Sequence, residues 1–185
     1  MKPGNANLSI QFDQQGFGLI EQIVVLAILA VLTTIAAPSF HRMFEAHELR
    51  TAQADYIAAL QHARNLAVNE QRKIIFCPSR DARTCNGDGT WTGGWLIGYD
   101  NGKGELDGAP LYIGSRSIKR LDIHGSDSKK SLYFKLDGST GNSYQTIYFC
   151  PHDISMHPLA VVISSQGRVR GEQADSDEAK CIASE

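Results

Sequence analysis

Hydrophobic and polar positions divide the chain into stretches of different periodicity. A polar stretch over residues 1–16 is followed by residues 17–40, in which Glu21 is the only charged side chain. Such a run is long enough to cross the hydrocarbon core of a bilayer as a helix. The pattern therefore predicts a leader over residues 1–16, a transmembrane helix over residues 17–40 and a globular head over residues 41–185.

Helical periodicity continues beyond the apolar run. Apolar positions recur on one predicted helix face: Leu49, Ala52, Tyr56, Ala59, Leu60, Ala63, Leu66 and Ala67. A helix from Phe17 to about Asn69 would be about 80 Å long at 1.5 Å per residue. Pro38 lacks a backbone N–H donor, so we expect it to bend or locally melt this helix.

After Gln71 the pattern changes to short runs of alternating, β-branched and aromatic residues. The predicted strands cover residues 73–77, 95–99, 111–113, 118–123, 132–136, 146–150, 159–164 and 168–170. Turn signals such as Asp107-Gly108 and Asp137-Gly138 separate them. A helix followed by antiparallel strands predicts an α+β fold, with a long N-terminal helix packed on an antiparallel β-sheet head. The acidic tail over residues 172–185 is expected to be partly mobile except at Cys181.

Four cysteines, Cys77, Cys85, Cys150 and Cys181, form an even count in a chain with predicted export, which favours disulfides. Three pairings are possible. We favour Cys77–Cys85, which closes a short loop, and Cys150–Cys181, which ties down the tail. Reduced thiols in a cytoplasmic protein are the alternative, and a zinc site is less favoured because no C-x-x-C pair is present.

Glu21 distinguishes the apolar run from an ordinary anchor. A carboxylate within a membrane span is costly, so it indicates a function. Cleavage between Gly16 and Phe17 would create a cationic amine at Phe17, and a neighbouring copy's Glu21 could neutralise it in a low-dielectric assembly. A secretory signal peptide and an uncleaved anchor are the alternatives, but the leader and the apolar run are both long for a secretory signal.

Residues 16–40, G-FGLIEQIVVLAILAVLTTIAAPSF, resemble the class III signal of type IV prepilins and type II secretion pseudopilins. The resemblance implies that residues 1–16 are a prepilin leader, which a membrane prepilin peptidase removes after Gly16 before methylating Phe17. It further implies an inner-membrane protein with a single membrane span and a periplasmic head. That protein would later join other major and minor pilins in a filament at the cell surface.

Three further segments narrow the family. Ala-Arg-Asn-Leu-Ala at 63–67, Phe-Cys-Pro at 76–78 and Trp-Thr-Gly-Gly-Trp at 91–95 resemble the FimT/GspH group of minor pilins and pseudopilins, FimT above all. With residues 138–170 and the N-terminal signal, the resemblance covers nearly the whole mature chain. It implies a minor pilin that takes part in natural transformation, in which competent cells take up DNA.

Arg168 and Arg170 are the candidate DNA contacts. In a strand they would share one face about 7 Å apart, which matches the spacing of successive phosphates along a DNA strand. Spacing alone favours a simpler interpretation, in which the two arginines protect an edge strand from pairing. The resemblance favours DNA contact over edge protection. A C-terminal Gly-Arg-x-Arg element is the DNA-contacting motif of FimT-type pilins, and Gly167, Arg168 and Arg170 match it.

A basic stretch adds further candidates. Between residues 113 and 135 there are six basic side chains and two acids. The candidate contacts within it are Lys119, Arg120, Lys129 and Lys130. Few phosphate contacts imply weak, salt-dependent and sequence-independent binding of double-stranded DNA. Two alternatives stay open: a structural minor pilin that primes assembly without DNA contact, and a GspH-like pseudopilin of a type II secretion system.

The remaining polar residues indicate no enzyme. The serines and histidines form no catalytic constellation, and no cofactor or metal is predicted. Asp100, Asn101, Glu105 and Asp107 could suggest calcium, but their spacing does not fit an EF-hand loop and favours a hairpin turn. The net charge of −2 points to no particular partner.

Overall fold

The computed structural model describes residues 18–114, 121–126, 131–153 and 155–181. Helix α1 spans Leu19–Glu70, and eight strands follow within the described residues: β1 Ile74–Pro78, β2 Trp95–Asp100, β3 Leu106–Gly114, β4 Leu121–Gly125, β5 Leu132–Phe134, β6 Gln145–Pro151, β7 Leu159–Ile163 and β8 Val169–Gln173. A short 3-10 turn spans Gly141–Ser143, and helix α2 spans Ser176–Ala179. The predicted α+β fold is confirmed. The chain divides into two units, Met1–His41 and Arg42–Glu185.

In the first unit, the described residues form the beginning of α1. Large apolar side chains are exposed along it: Leu19, Ile20, Ile23, Val24, Val25, Leu26, Ile28, Leu29, Val31, Leu32 and Phe40. In the part of the chain that the structure describes, no helix is long and apolar enough to cross a membrane. The span over residues 17–40 therefore stays a prediction. The helix continues through Pro38, so of the two expected effects the local melting does not occur, and the bend stays a prediction.

The second unit has its own hydrophobic core, which the predicted stripe of α1 helps to form. The buried residues of the stripe are Leu49, Ala52, Tyr56, Ala59, Leu60, Ala63 and Ala67. They pack against apolar side chains from both sheets, including Phe76, Phe134 and Phe149. Among the described residues, the buried core lies between Leu49 and Ala179, so this unit, which we call the head, has a core to which the described part of the first unit contributes no residue.

The head contains two four-stranded antiparallel sheets, where the prediction names one. Their strand orders are β3-β2-β1-β5 and β4-β6-β7-β8. The two sheets arise because β5 pairs with β1 while β4, which precedes it in the chain, pairs with β6. In this arrangement β8 is an edge strand, bonded only to β7 within its sheet.

The family-like markers of residues 63–95 belong to the core of the head. The Trp91 indole is fully buried and stacks on Phe76 with ring centroids 5.4 Å apart. Trp95 stacks on Phe76 as well, at 5.5 Å. The Tyr56 hydroxyl of α1 donates a hydrogen bond to the Trp91 carbonyl at 2.7 Å. These aromatic residues therefore join the helix to the first sheet.

Both favoured disulfides are present, Cys77–Cys85 and Cys150–Cys181, each with 5.5 Å between its Cα atoms. The second disulfide ties the tail to β6. The described part of the tail includes the end of β8 and helix α2, whereas its partial mobility stays a prediction. β8 extends to Gln173 through pairing with Leu159, and α2 buries Ala179 in a small cluster on the second sheet.

Candidate functional site

The turn between β7 and β8 holds Arg168 in a fixed backbone position. The Gly167 N–H donates to the Ser164 carbonyl at 2.9 Å, and the Ser164 N–H donates to the Arg168 carbonyl at 3.0 Å. The Arg168 N–H donates to the Ser164 hydroxyl oxygen at 3.1 Å. Ser164 thus fixes the backbone of the residue that begins the arginine pair.

A second turn, over residues 137–141, interlocks with this one. The Thr140 and Gly141 N–H groups both donate to the Ser165 carbonyl, at 3.0 and 3.1 Å. The Thr140 hydroxyl donates to the Ser164 carbonyl at 2.8 Å. We call residues 164–170, together with the turn 137–141 that they contact, the arginine corner. Its backbone is cross-linked by hydrogen bonds between residues that are distant in sequence.

Gly167 is required where the two turns meet. Its φ is +77°, a left-handed backbone conformation that residues other than glycine rarely adopt. A Cβ atom built on Gly167 would overlap the carbonyl oxygen of Gly138, at 1.9 Å. The glycine of the Gly-Arg-x-Arg element therefore lets the two backbones approach each other directly before Arg168.

Arg168 directly precedes β8 and Arg170 is the second residue of that strand. Val169 between them packs against the hydrophobic core and pairs with Ile163 of β7. Both arginine side chains are exposed. Because β8 is an edge strand, its position fits edge protection as well as ligand contact.

The two arginines differ in their surroundings. The Arg170 Nε atom lies 3.4 Å from the Glu172 carboxylate, and both side chains are about half exposed, at 58% and 44%. Arg168 has no ion pair with any residue in the described ranges. An exposed pair of this kind contributes about 0–1 kcal/mol, so Arg170 is partly neutralised but not immobilised.

The acidic tail packs across the outer face of the second sheet. The Tyr148 hydroxyl donates to the Glu178 carboxylate at 3.2 Å, and the His124 Nε2 atom lies 2.8 Å from the Ala179 carbonyl oxygen. Burial raises the pKa of Tyr148, and the negative charges of Glu178 and Glu172 raise it further. The tail is therefore held against β4 and β6, in the same sheet as β8, the strand that contains Arg170.

Several sequence-predicted residues lie outside the described residues: Gly16, Phe17, Lys119, Arg120, Lys129 and Lys130. Their part in a site stays a prediction. Lys135, from the same basic stretch, lies beside the arginine corner, since its Nζ atom would be 2.8 Å from a Cβ atom on Gly141. The corner also holds an acid, Asp137, whose pKa is lowered by hydrogen bonds from the Ser139 hydroxyl and N–H.

Sequence reasoning missed Arg64 as a member of this site. The Arg64 side chain of α1 reaches across to the corner, where its Nε–H donates to the Gly138 carbonyl at 3.1 Å. Its exposed position opposite the buried stripe was visible in the helical pattern. Its neighbour Gly138 was not, because the contact joins residues 74 positions apart.

Glu21 belongs to the first unit and lies in the first turn of α1. Its N–H donates to the Gly18 carbonyl at 3.0 Å, and its side chain is exposed between exposed apolar neighbours. A carboxylate in a first helical turn interacts favourably with the helix dipole, by about 0.3–1 kcal/mol.

The loop considered for calcium uses its polar groups internally. Asn101 donates from Nδ2 to the Glu105 carboxylate at 3.0 Å, and the Gly104 N–H donates to Asp100 at 2.9 Å. Asp100 also pairs with Lys73, and Asp107 with Arg72. Within the described ranges, no group of three or more potential metal-ligating side chains occurs. The loop connects β2 to β3, which is the hairpin that its turn residues predict.

Comparison with known proteins identifies two matching sequence families. Residues 52–167, more than half of the chain, match the family described as type II transport protein GspH. Residues 12–37 match the prokaryotic N-terminal methylation motif.

Solved structures of similar fold are minor pilins and pseudopilins. Two crystal forms of the type IV minor pilin FimU of Pseudomonas aeruginosa, strain PAO1, match with 27% and 25% identity and TM-scores of 0.57 and 0.54. They cover 69% and 67% of this chain, and 90% and 92% of the FimU chains. The minor pseudopilin EpsH of the Vibrio cholerae type 2 secretion system matches at 11% identity and a TM-score of 0.49, over 68% of this chain and 97% of that chain.

Proposed function

The chain belongs to the GspH family, and on that premise we propose that it is a minor type IV pilin that binds extracellular double-stranded DNA for natural transformation. The observation that carries the proposed DNA contact is the exposed pair Arg168 and Arg170 at the start of an edge strand. The backbone of Arg168 is held by the interlocked turns of the arginine corner. The identity to FimU supports membership of a pilus.

The geometry suits phosphates and not base edges. Two guanidinium groups two residues apart on a strand are about 7 Å apart, the spacing of phosphates along one DNA strand. Guanidinium groups form paired hydrogen bonds with phosphate oxygens. The described helices of the head offer no basic recognition helix near the corner, since α1 contributes Arg64 alone and α2 is acidic. Contact with phosphates alone is independent of DNA sequence.

Binding by one subunit would be weak, because each head offers few phosphate contacts. Affinity should therefore fall steeply as salt rises. Several subunits in one filament, or repeated encounters as the filament extends, would compensate through avidity. Weak individual contacts also allow DNA to be released after uptake.

The N-terminal segment supports assembly into a filament. In our proposal a prepilin peptidase cleaves after Gly16, Phe17 becomes the methylated N-terminus, and the helix that follows anchors the protein in the inner membrane. Glu21 would then neutralise the N-terminal amine of a neighbouring pilin. The exposed apolar side chains of early α1 support this reading, because such a surface needs lipid or other helices around it.

One alternative has an observation in its favour. The family description names type II transport, which fits a pseudopilin that acts in protein secretion. Such a protein, like a purely structural minor pilin, would have no need for DNA contact. The same binding experiment separates both alternatives from the proposed function.

The experiment uses the head, residues 42–185, with its disulfides formed. Wild-type head should retard a labelled DNA duplex at low salt, and the variant Arg168→Gln/Arg170→Gln should lose this retardation while it unfolds at the same urea concentration. The matched control is Arg72→Gln/Arg80→Gln, which removes two exposed arginines that pair with Asp107 and Asp88 elsewhere in the head. Equal DNA binding by both double variants would disprove the assignment.

A further inference from the structure

We propose that Arg64 of α1 and Arg168, the residue before β8, together hold one DNA phosphate in a polar notch between the helix and the arginine corner. This inference rests on the proposed DNA contact and extends it to a residue outside the Gly-Arg-x-Arg element. The notch has a volume of about 270 Å³ and is lined by Gln61, Arg64, Asn65, Gly167, Arg168 and Val169.

The notch is built from two elements that are fixed to each other. Gln61, Arg64 and Asn65 are spaced three and four residues apart on α1, so they share one helix face. Across the notch, Gly167 brings the β7–β8 turn close to this face: a Cβ atom there would lie 3.2 Å from Arg64 Nε. Arg64 Nε–H in turn donates to the Gly138 carbonyl at 3.1 Å. The cavity is therefore framed on both sides by residues in defined positions.

The charge of the notch fits an anion. The residues that line it include two arginines, one glutamine and one asparagine, and no acidic residue. Arg64 has five N–H donors, of which the contact with Gly138 uses one. Within the described residues no ion pair occupies the other four, nor those of Arg168. Two unpaired guanidinium groups beside amide donors match the four oxygens of a phosphodiester.

Arg170 is less suited to this role. It lies beyond Val169 on β8, does not line the notch, and is paired with Glu172. We therefore assign the primary phosphate to Arg64 and Arg168, and the next phosphate along the strand to Arg170. This ordering predicts that Arg64, which the sequence motif does not include, contributes more to binding than Arg170 does.

The test measures binding of a fluorescent 20-base-pair duplex to the head at low salt. Arg64→Gln should weaken binding roughly tenfold, the loss expected for one charge-assisted hydrogen-bonding group. Arg170→Gln should weaken it less. The control Arg50→Gln removes an exposed arginine from the same helix, about 21 Å along its axis from Arg64, and should leave affinity unchanged.

A second measurement separates contact from mere positioning of the turn. In the wild-type head, the arginine side-chain NMR signals of Arg64 and Arg168 should shift when the duplex is added, and that of Arg50 should not. Arg64→Gln binding as tightly as wild type, while Arg168→Gln binds weakly, would overturn the notch and leave the proposed function intact. Loss of binding in Arg64→Gln without a shift of the Arg64 signal would also overturn it. A wild-type head that does not bind the duplex would end both proposals.

Discussion

Glu21 and Arg168 are charged residues in opposite structural settings. Glu21 is surrounded by exposed apolar side chains, and its N–H contacts only the carbonyl of Gly18, three residues away. Arg168 is positioned by Ser164, by a turn 27–31 residues earlier in the chain, and by a helix about 100 residues earlier. The first setting needs little more than a local helix, whereas the second needs the complete head.

This difference explains what each region can do. A short segment with a small residue, a cleavage point and one acid can be recognised by an enzyme before the head is folded. A phosphate site made from two turns and a helix exists only after folding. Damage to the head should therefore abolish DNA contact and spare processing, and the following predictions test that separation.

The largest effect is expected at the proposed cleavage point. Gly16→Leu should leave the precursor entirely uncleaved, because a bulky side chain replaces the small residue before the scissile bond. Gly4→Leu, the same change within the leader, should still yield protein that begins at Phe17. Mass spectrometry of the N-terminus measures both. A mature chain that begins at any other residue would contradict the proposed signal.

The next effect concerns the junction of the two turns. Gly167→Ala should destabilise the head by about 2 kcal/mol or more, because the added Cβ overlaps the Gly138 carbonyl and forces the backbone to move. Gly104→Ala is the matched control: its φ is +80°, but its Cβ would meet nothing within 4 Å. The control should lose about 1–2 kcal/mol, the cost of the left-handed conformation alone.

Urea unfolding of the two variant heads measures this difference. Processing of Gly167→Ala at the N-terminus should remain normal even where the head is destabilised. Similar losses in both variants would show that the close approach of the turns is unimportant to stability.

A smaller effect is expected from the acid beside Arg170. Glu172→Gln removes the carboxylate at 3.4 Å and should tighten DNA binding about two- to fivefold, as expected for an exposed ion pair. Asp107→Asn releases Arg72 from a similar exposed pair at 3.7 Å and should leave DNA affinity unchanged. Fluorescence anisotropy at fixed salt compares the two. An equal gain in both variants would mean that only net charge matters, and not the arginine corner.

The smallest effect is the pH dependence of the turn 137–141. The Ser139 hydrogen bonds hold the pKa of Asp137 below its ordinary value of 3.8, so ionised Asp137 stabilises the folded head. This contribution is complete well above that value and is lost as the pH falls below about 4. In urea titrations, the free energy of unfolding of the Asp137→Asn head should therefore fall less between pH 5 and pH 3 than that of the wild-type head. Identical pH profiles would contradict this role.

Much of the fold could be predicted because buried apolar residues recur along the sequence with the period of the helix or strand that contains them. The stripe from Leu49 to Ala67 has helical spacing because one face of α1 meets the core, and each predicted strand overlaps an observed one. The division into two sheets could not be predicted, since β1 pairs with β5 across more than 50 intervening residues. Such pairing depends on how the folded strands and helix pack against one another, and a local sequence pattern contains no information on that packing.

Part of the candidate site could also be predicted from the sequence. Alternation correctly predicted that Arg168 and Arg170 are exposed while Val169 packs against the core. The packing of the tail was not predicted because most of its residues are acidic or polar, although Ala174 and Ala179 are buried against the second sheet. Arg64 was missed because an exposed arginine on a helix looks like any solvated residue until its distant partner is known.

The most direct test of the central claim is the salt dependence of DNA binding by the wild-type head and by Arg168→Gln/Arg170→Gln. For duplex DNA, the slope of the logarithm of the binding constant against the logarithm of the salt concentration changes by about 0.9 for each phosphate contact. We predict that the double variant loses close to two contacts, so its slope is shallower by about 1.8. Parallel lines for the two proteins would show that neither arginine contacts phosphate, and would contradict the claim that this pilin-like head binds DNA through its arginine corner.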